Sequence, residues 1–372
     1  PTLSARYNLL RQTENFSDAA WTKINTTITA NATIAPDGTA TADYFEHVIS
    51  GLPYVGQSFT FSAIPYTATV YLKYIANQWV RVDLGNLSIW VDVQNGIAGT
   101  LPIGVSVFIT NADNGWKKYT FFGTPLSGAS SLAFINVAAD NNSTRTTNKT
   151  AIWGADLRVA NVGIDLPPYQ RVGNVSVTPS DYDTVGFPKY LRFDGIDDFL
   201  QTNSINFTST DKMTVFAGVR KFTDATTGML VQLSSDWVSN VGAFAVYAPS
   251  YLSGSTQKYF VGLRGSGIRQ VDYATYASPI SNVLAVSLDI ANSASSEVST
   301  RVNGASIAPT LSSGDAGTGN FANAILQIGK YKTAESPFNG RLYSLIVRGA
   351  QSTADEISKA EAYVNNLTKA YT

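Results

Sequence analysis

Residues Trp79–Gln94 read WVRVDLGNLSIWVDVQ, and the period of this stretch decides the fold. Apolar and polar residues alternate strictly on both sides of Gly85-Asn86. A period of two places alternate side chains on opposite faces of a strand. Val80, Val82 and Leu84 therefore share one face with Ile89, Val91 and Val93. Trp79, Arg81 and Asp83 share the other with Trp90, Asp92 and Gln94. With Gly85-Asn86 as a two-residue hairpin loop, Leu84 opposes Leu87, Arg81 opposes Trp90, and Trp79 opposes Asp92.

The preceding stretch, TVYLKY, continues the pattern, with Val70, Leu72 and Tyr74 inward and Tyr71 and Lys73 outward. The outward set is then two indoles, a phenol (Tyr71), a guanidinium and two carboxylates. Such mixtures bind sugars: an aromatic ring stacks on the C–H side of a pyranose while polar groups pair with its hydroxyls. Two alternatives stand beside this reading. The indoles are covered by a loop or by a second domain, or Arg81 over Trp90 is a local cation–π pair. Trp21, Trp116 and Trp153 lie beside small residues near strand ends and are expected in the core.

The same alternation recurs through the chain, as in MTVFAGV and AFAVY, broken by turn residues. Only the C-terminus is helical in pattern. Ser352 and Thr353 precede Asp355 and Glu356 there in a capping-box arrangement, and Ile357, Ala360, Val364 and Leu367 fall on one face, predicting a helix over 354–369. Residues 163–187 are rich in proline and weakly periodic, and read as a linker. This divides the chain into residues 1–162 and 188–372, each the size of one β-sandwich. The expected fold class is all-β: two antiparallel β-sandwiches, or jelly rolls, with a short C-terminal α-helix.

Composition excludes several functions. Charged residues make up 14% of the chain, well below the usual level of about 25%, and 26 basic residues balance 27 acidic ones. With no basic cluster, no nucleic-acid partner is expected. No cysteine is present, which removes disulfides, thiolate metal sites and a cysteine nucleophile. No apolar run of about 18 residues indicates a membrane span, and PTLSARYNLL lacks a signal peptide's apolar segment. A proline at position 1 is what initiator-methionine removal leaves, so a nearly full-length chain is expected.

NLLRQTENFSDAAWTK, TANATIAPDGTATADYF, YVGQSFTFSA, NGWKKYTFF and AIWGADLRVA occur in that order between residues 8 and 160. Together they resemble the carbohydrate-binding-module-like β-sandwich found in tailed-phage structural proteins. YLRFDGIDDFLQT, TRVNGASI, ILQIGKY and FNGRLYSLIVRGAQSTADEI, between residues 190 and 357, resemble the laminin G-like, concanavalin A-like lectin sandwich. The first resemblance implies opening strands from Asn8 onward, a turn at Asp37-Gly38 and a virion setting. Some members of the second fold bind Ca²⁺. Asp194, Asp197 and Asp198 are the acidic cluster placed for it, although Ca²⁺ takes six to eight oxygens and these residues equally suit bonds to turn amides. Trp237, Tyr247 and Tyr251 flank a Gly/Ser-rich region and are further ligand candidates. Asn303-Gly304 is a type I′ hairpin signal.

Nothing marks an enzyme. The six glutamates, Glu14, Glu46, Glu297, Glu335, Glu356 and Glu361, never begin the Glu-x-Asp-x-x-Glu strand of the glucanases that share this fold. The single histidine, His47, is expected at the surface or on an edge strand, and no GxSxG elbow accompanies it. GLRGSG and GDAGTG lack the continuation of a phosphate loop. The expected protein is a non-catalytic head spike, fibre or tail adhesin on a virion surface. It would bind host capsular or surface polysaccharide, contact other virion proteins and act as a homo-oligomer or in many copies. The alternatives are a structural capsid or tail decoration protein and, third, a polysaccharide depolymerase.

Overall fold

The computed structural model describes residues 1–372 except 49–50, 161–167, 174–180, 251, 253–256, 333–334 and 372. Tyr251 therefore lies outside the described residues. The fold is all-β, built of antiparallel sheets with one short C-terminal helix. Two compact units divide it. One takes the described residues of 6–187, and the other takes residues 1–5 with the described residues of 188–372.

In the first unit, one six-stranded sheet runs Ser106–Asn111, Lys117–Gly123, Tyr66–Tyr74, Thr150–Val159, Ala42–His47, Thr26–Thr33. The second runs Thr22–Ile24, Tyr54–Phe61, Gly128–Val137, Trp79–Leu84, Leu87–Asp92, Ile97–Ala98. Val70, Leu72 and Leu157 from one sheet meet Val80, Val82, Leu84, Ile89 and Val91 from the other in a single buried core. Full burial of each such aliphatic side chain contributes about 1.5–3 kcal/mol.

The first half of the chain departs from its expected boundaries in three ways. Thr2–Ser4 pairs with Tyr190–Asp194, so residues 1–5 sit in the second unit's sheet. Asn8–Ala20 forms no strand but a looped plug, which drives Leu10 and Phe16, and then Trp21, into the core. The expected linker is, where described, part of the first unit. Gln170 and Val172 are buried, and Val172 bridges Tyr182. Gln170 accepts from the amides of Tyr7 and Asn8, while Asn8 donates to the Ala155 carbonyl and accepts from Leu157 N. Polar side chains buried this deeply persist because every group finds a partner. The Asp37-Gly38 turn forms as expected, with Gly38 at φ +86°.

In the second unit, one seven-stranded sheet runs Thr2–Ser4, Tyr190–Asp194, Asn339–Arg348, Lys212–Lys221, Ile280–Asp289, Val298–Val302, Ala305–Ile307. It shares a core with the sheet Leu200–Gln201, Leu326–Ile328, Met229–Leu233, Ala243–Tyr247, Tyr259–Arg264, Ile268–Tyr273, Leu311–Asp315. Asn303 and Gly304 both have positive φ, the type I′ hairpin expected. The helix Ala354–Thr368 opens on the capping box of Thr353 and Glu356. It packs Val364, Ile357 and Ala360 against Phe216, Val283 and Ala285 on the outer face of the first of these sheets. A charged pair goes down with them, Glu361 taking two bonds from Arg301.

Gly218 is where the helix comes closest. A Cβ there would sit 2.0 Å from Thr368 Oγ1 and 2.9 Å from Val364 Cγ1. Gly218→Ala should therefore push the helix off its strand and cost about 1–3 kcal/mol, as overpacking does. Urea denaturation of wild type and variant measures this, and unchanged stability would show that the helix yields freely.

Candidate functional site

The Trp79–Leu84/Leu87–Asp92 hairpin has the register its alternation predicts: Trp79 opposite Asp92, Arg81 opposite Trp90, Leu84 opposite Leu87. The turn takes positive φ at Gly85 alone of its two central residues, the type II′ pattern. Val80, Val82, Leu84, Ile89 and Val91 are fully buried, while Trp79, Arg81, Asp83 and Trp90 are half-buried on the opposite face. Arg81 Nη2 donates to Asp83 Oδ2 at 2.7 Å, and Ser88 Oγ donates to Asp83 Oδ1 at 2.8 Å.

This face is partly covered by the chain's own loop, and its indoles stay half-buried. Ile135 and Val137 flank Arg81 and Trp79 on the neighbouring strand and are buried although they point outward. The polar run after Val137 folds back over them. The Asn142 carbonyl accepts the Trp90 indole N–H at 3.1 Å. Asp140 accepts from Thr100 N and Oγ1, and the Gly99 backbone lies on the rim of Trp79, where an added Cβ would come within 2.7 Å of Cζ3. An indole covered this way buries its ring and still satisfies its N–H. Arg145, on the same loop, stands near enough to Arg81 that burial and then the Arg81 charge lower its pKa. The Nε atoms of both arginines are buried without a hydrogen-bond partner. Asp140, Asn142 and Arg145 are thus site residues that the strand pattern did not single out. Their only signal was a polar run between two apolar strands.

Four of the expected site residues lie elsewhere. Tyr71 belongs to the other sheet, because Tyr66–Tyr74 pairs with Lys117–Gly123 and Thr150–Val159 rather than with the strand that follows it. Its ring packs 5.3 Å from Trp153 and 6.0 Å from Tyr169. Tyr74, expected inward, is exposed at the strand end. Asp92 is buried and braces a turn, accepting from Asn95 N, Asn95 Nδ2 and Gln78 Nε2. Burial raises its pKa, but these bonds outweigh burial and hold it below the usual carboxylate range. Gln94 is exposed beside that turn. Trp237 is fully buried, its ring on Gly262 and its N–H directed at the Tyr247 hydroxyl, 3.2 Å away. Trp21, Trp116 and Trp153 are core residues as expected.

Asp194, Asp197 and Asp198 do come together, with one carboxylate oxygen of each within 4.8 Å of the others. Asp194 accepts from Ile196 N and Asp198 from Asp194 N, which is the turn-bracing role. Three carboxylates, two of them exposed and two holding turn amides, do not make up the six to eight oxygens of a Ca²⁺ shell.

His47 is buried in a central strand and not at the surface. Its Nε2 accepts from Asn136 N at 2.9 Å, which leaves Nδ1 protonated and donating to Thr26 Oγ1. Burial, then the Arg145 charge, lower its pKa to about 4. Glu14 shows the reverse. Burial is the largest cause, and its carboxyl rises to about 7 although the Tyr169 hydroxyl donates to it at 3.1 Å. A 470 Å³ cavity in the second unit, lined in part by Arg269, Tyr273, Thr300 and Arg301, contains none of the expected site residues.

No protein-family model matches the chain, and no curated protein does. Solved structures similar in backbone include a heptameric SAP-like pentraxin from Limulus polyphemus. It is 14% identical over 48% of this chain and 80% of its own, with a TM-score of 0.34. The CBM40 of the Ruminococcus gnavus IT-sialidase is 16% identical over 44% of this chain and 98% of its own, at 0.31. Domains LG4-5 of the mouse laminin α1 chain are 13% identical over 82% of this chain and 92% of their own, at 0.33.

The two shifted groups make opposing pH dependences. The unfolded chain protonates His47 near its ordinary 6.5, before the folded chain does, so that contribution is intact above pH 6.5 and lost as pH falls toward 4. The folded chain protonates Glu14 first, so its cost is present above pH 7 and relieved as pH falls toward 4.5. Wild-type stability of the first unit should change little between pH 6.5 and 4.5. His47→Gln should leave the Glu14 slope alone, making the variant gain on wild type by up to about 3 kcal/mol on acidification. Tryptophan-detected urea melts measure this, since five of the six tryptophans lie in the first unit. A constant difference across pH would assign His47 no titration of its own.

Proposed function

We propose that this chain is a non-catalytic glycan-binding protein of a virion surface, a head spike, fibre or tail adhesin that holds host capsular or surface polysaccharide. The observation that carries the reading is the outer face of the Trp79–Leu84/Leu87–Asp92 hairpin. Two half-buried indoles flank the Arg81–Asp83 ion pair there, under a loop that adds Arg145. Indole edges offer apolar area to a sugar's C–H groups, and the Arg81–Asp83 pair offers both donors and acceptors to its hydroxyls. Two β-sandwiches, a near-neutral surface and the phage-like segments between residues 8 and 160 support the setting.

Four of the six glutamates are engaged in ion pairs, which supports binding over turnover. Glu361 is tied to Arg301, Glu356 to Arg348 and the helix cap, Glu297 to Arg269, and Glu46 stands 3.5 Å from Lys149. Each weak sugar contact would count through many copies, because linked sites rebind at high effective concentration.

Glycan-array binding and host-cell adsorption test the proposal. Trp79→Ala with Trp90→Ala should abolish both, and Asp83→Asn, which preserves shape, should weaken them about tenfold through one charge-assisted bond. Retained near-ultraviolet circular dichroism identifies folded variants. Unchanged adsorption by a folded double variant would overturn this site and leave the structural-decoration reading.

A further inference from the structure

The first unit has a pocket on which the hairpin face has no bearing. Its volume is 280 Å³, and Gln12, Glu14, Asn15, Asn31, Thr41 and Arg171 are among its lining residues. Three separate parts of the chain build it: the looped plug, a bulge, and the strap expected as a linker. The bulge lies in the pairing of Thr26–Thr33 with Ala42–His47, where the register shifts between Thr29 and Thr33. Asn31 sits within it at φ +53°, and Gln12 on the facing wall sits at φ +49°. Asparagine tolerates this region, whereas a glutamine there is uncommon, and uncommon backbone of that kind collects at binding sites. Bulges likewise occur preferentially where a strand must aim a side chain.

The walls are pinned rather than loose. The buried Asp43 accepts from Asn31 N at 2.9 Å with one oxygen and from Phe16 N at 2.8 Å with the other. The strap is fixed to the plug by Gln12 N to the Gly173 carbonyl and Thr13 N to the Val172 carbonyl, both 2.9 Å. Tyr169 braces two lining residues, sharing a 2.7 Å bond with Thr13 Oγ1 and donating to Glu14. By contrast, the side-chain amides of Gln12 and Asn31 have no hydrogen-bond partner among the described residues. Each brings one acceptor and two donor hydrogens to the cavity.

We propose that this pocket is a second binding site and takes one uncharged sugar ring. The volume suits a single hexopyranose with a few waters. Most of its lining residues carry amide, hydroxyl, carboxyl or guanidinium groups, which match a ring of hydroxyls. Asp37 and Asp183 stand close enough to act on Glu14, and they oppose an anion. Arg171 on the wall, and a Glu14 carboxyl that holds its proton to about pH 7, oppose a cation.

Saturation-transfer NMR on the full chain tests this with the methyl glycosides of glucose, galactose, mannose and N-acetylglucosamine, each at about 10 mM for weak binding. At least one should bind wild type. Asn31→Gly keeps the positive φ and removes the side chain, and Arg171→Gln removes an exposed charge, so both variants should fold. Each should weaken binding about tenfold for a lost hydrogen-bonding group. Trp79→Ala with Trp90→Ala should leave this binding unchanged, which separates the pocket from the hairpin face. The proposal is overturned if no glycoside gives a signal. It is equally overturned if the signal survives both pocket variants, or if it disappears with the two tryptophans.

Discussion

The inward faces of Trp79–Leu84 and Leu87–Asp92 meet Val70, Leu72 and Leu157 across one core, and the first unit depends on that contact. No cysteine is available, so no covalent crosslink relieves the strands of the need to bury one face. The second unit obeys the same rule, with Val215, Val219 and Leu284 of one sheet against Leu230, Phe244 and Val261 of the other. A slip of one residue in any of these pairings would turn the apolar set outward. Strict alternation is therefore both the source of stability and the device that fixes register.

Polar burial then does what apolar burial cannot, which is to hold irregular chain in a single place. Asn8 and Gln170 are fully buried, and between them they bind the plug, the strap and the Thr150–Val159 strand. Asp43 does the same for the plug and the bulge. In each case several backbone amides or carbonyls converge on one side chain, and leaving any of them unpaired in the core would cost more than the bond itself gives. The pocket beside Glu14 exists because these clasps hold its walls apart. At the roof over Trp79 and Trp90, the Asn142 carbonyl satisfies the Trp90 indole N–H, and Asp140 ties down the exposed Thr100.

The contrast between Trp90 and Trp237 shows how far pattern carries. Trp90 alternates with apolar neighbours on a strand, and its outward face and partner Arg81 follow from that alone. Trp237 lies in a turn region without a period, and only the close approach of Gly262 shows that its ring is core. Tyr71 departs for another reason. Its strand forms as the alternation predicts, but alternation carries no information about which sheet a strand joins. Consecutive strands neighbour one another often rather than always.

The sequence by itself determined the all-β class, the hairpin at Gly85-Asn86 with its residue-by-residue register, the Asn303-Gly304 turn, the helix from Thr353 and the tryptophans of the first core. Each is set by spacing within about fifteen residues, where backbone geometry and side-chain polarity act locally. Only the tertiary structure decided that Thr2–Ser4 joins the second unit and that Tyr71 parts from Trp79. It alone decided that residues 137–146 roof the indoles and that the strap completes a pocket with Asn31. These features join residues far apart in the chain, and their partners are chosen by which buried polar groups find satisfaction when the sheets close. No local period records that choice.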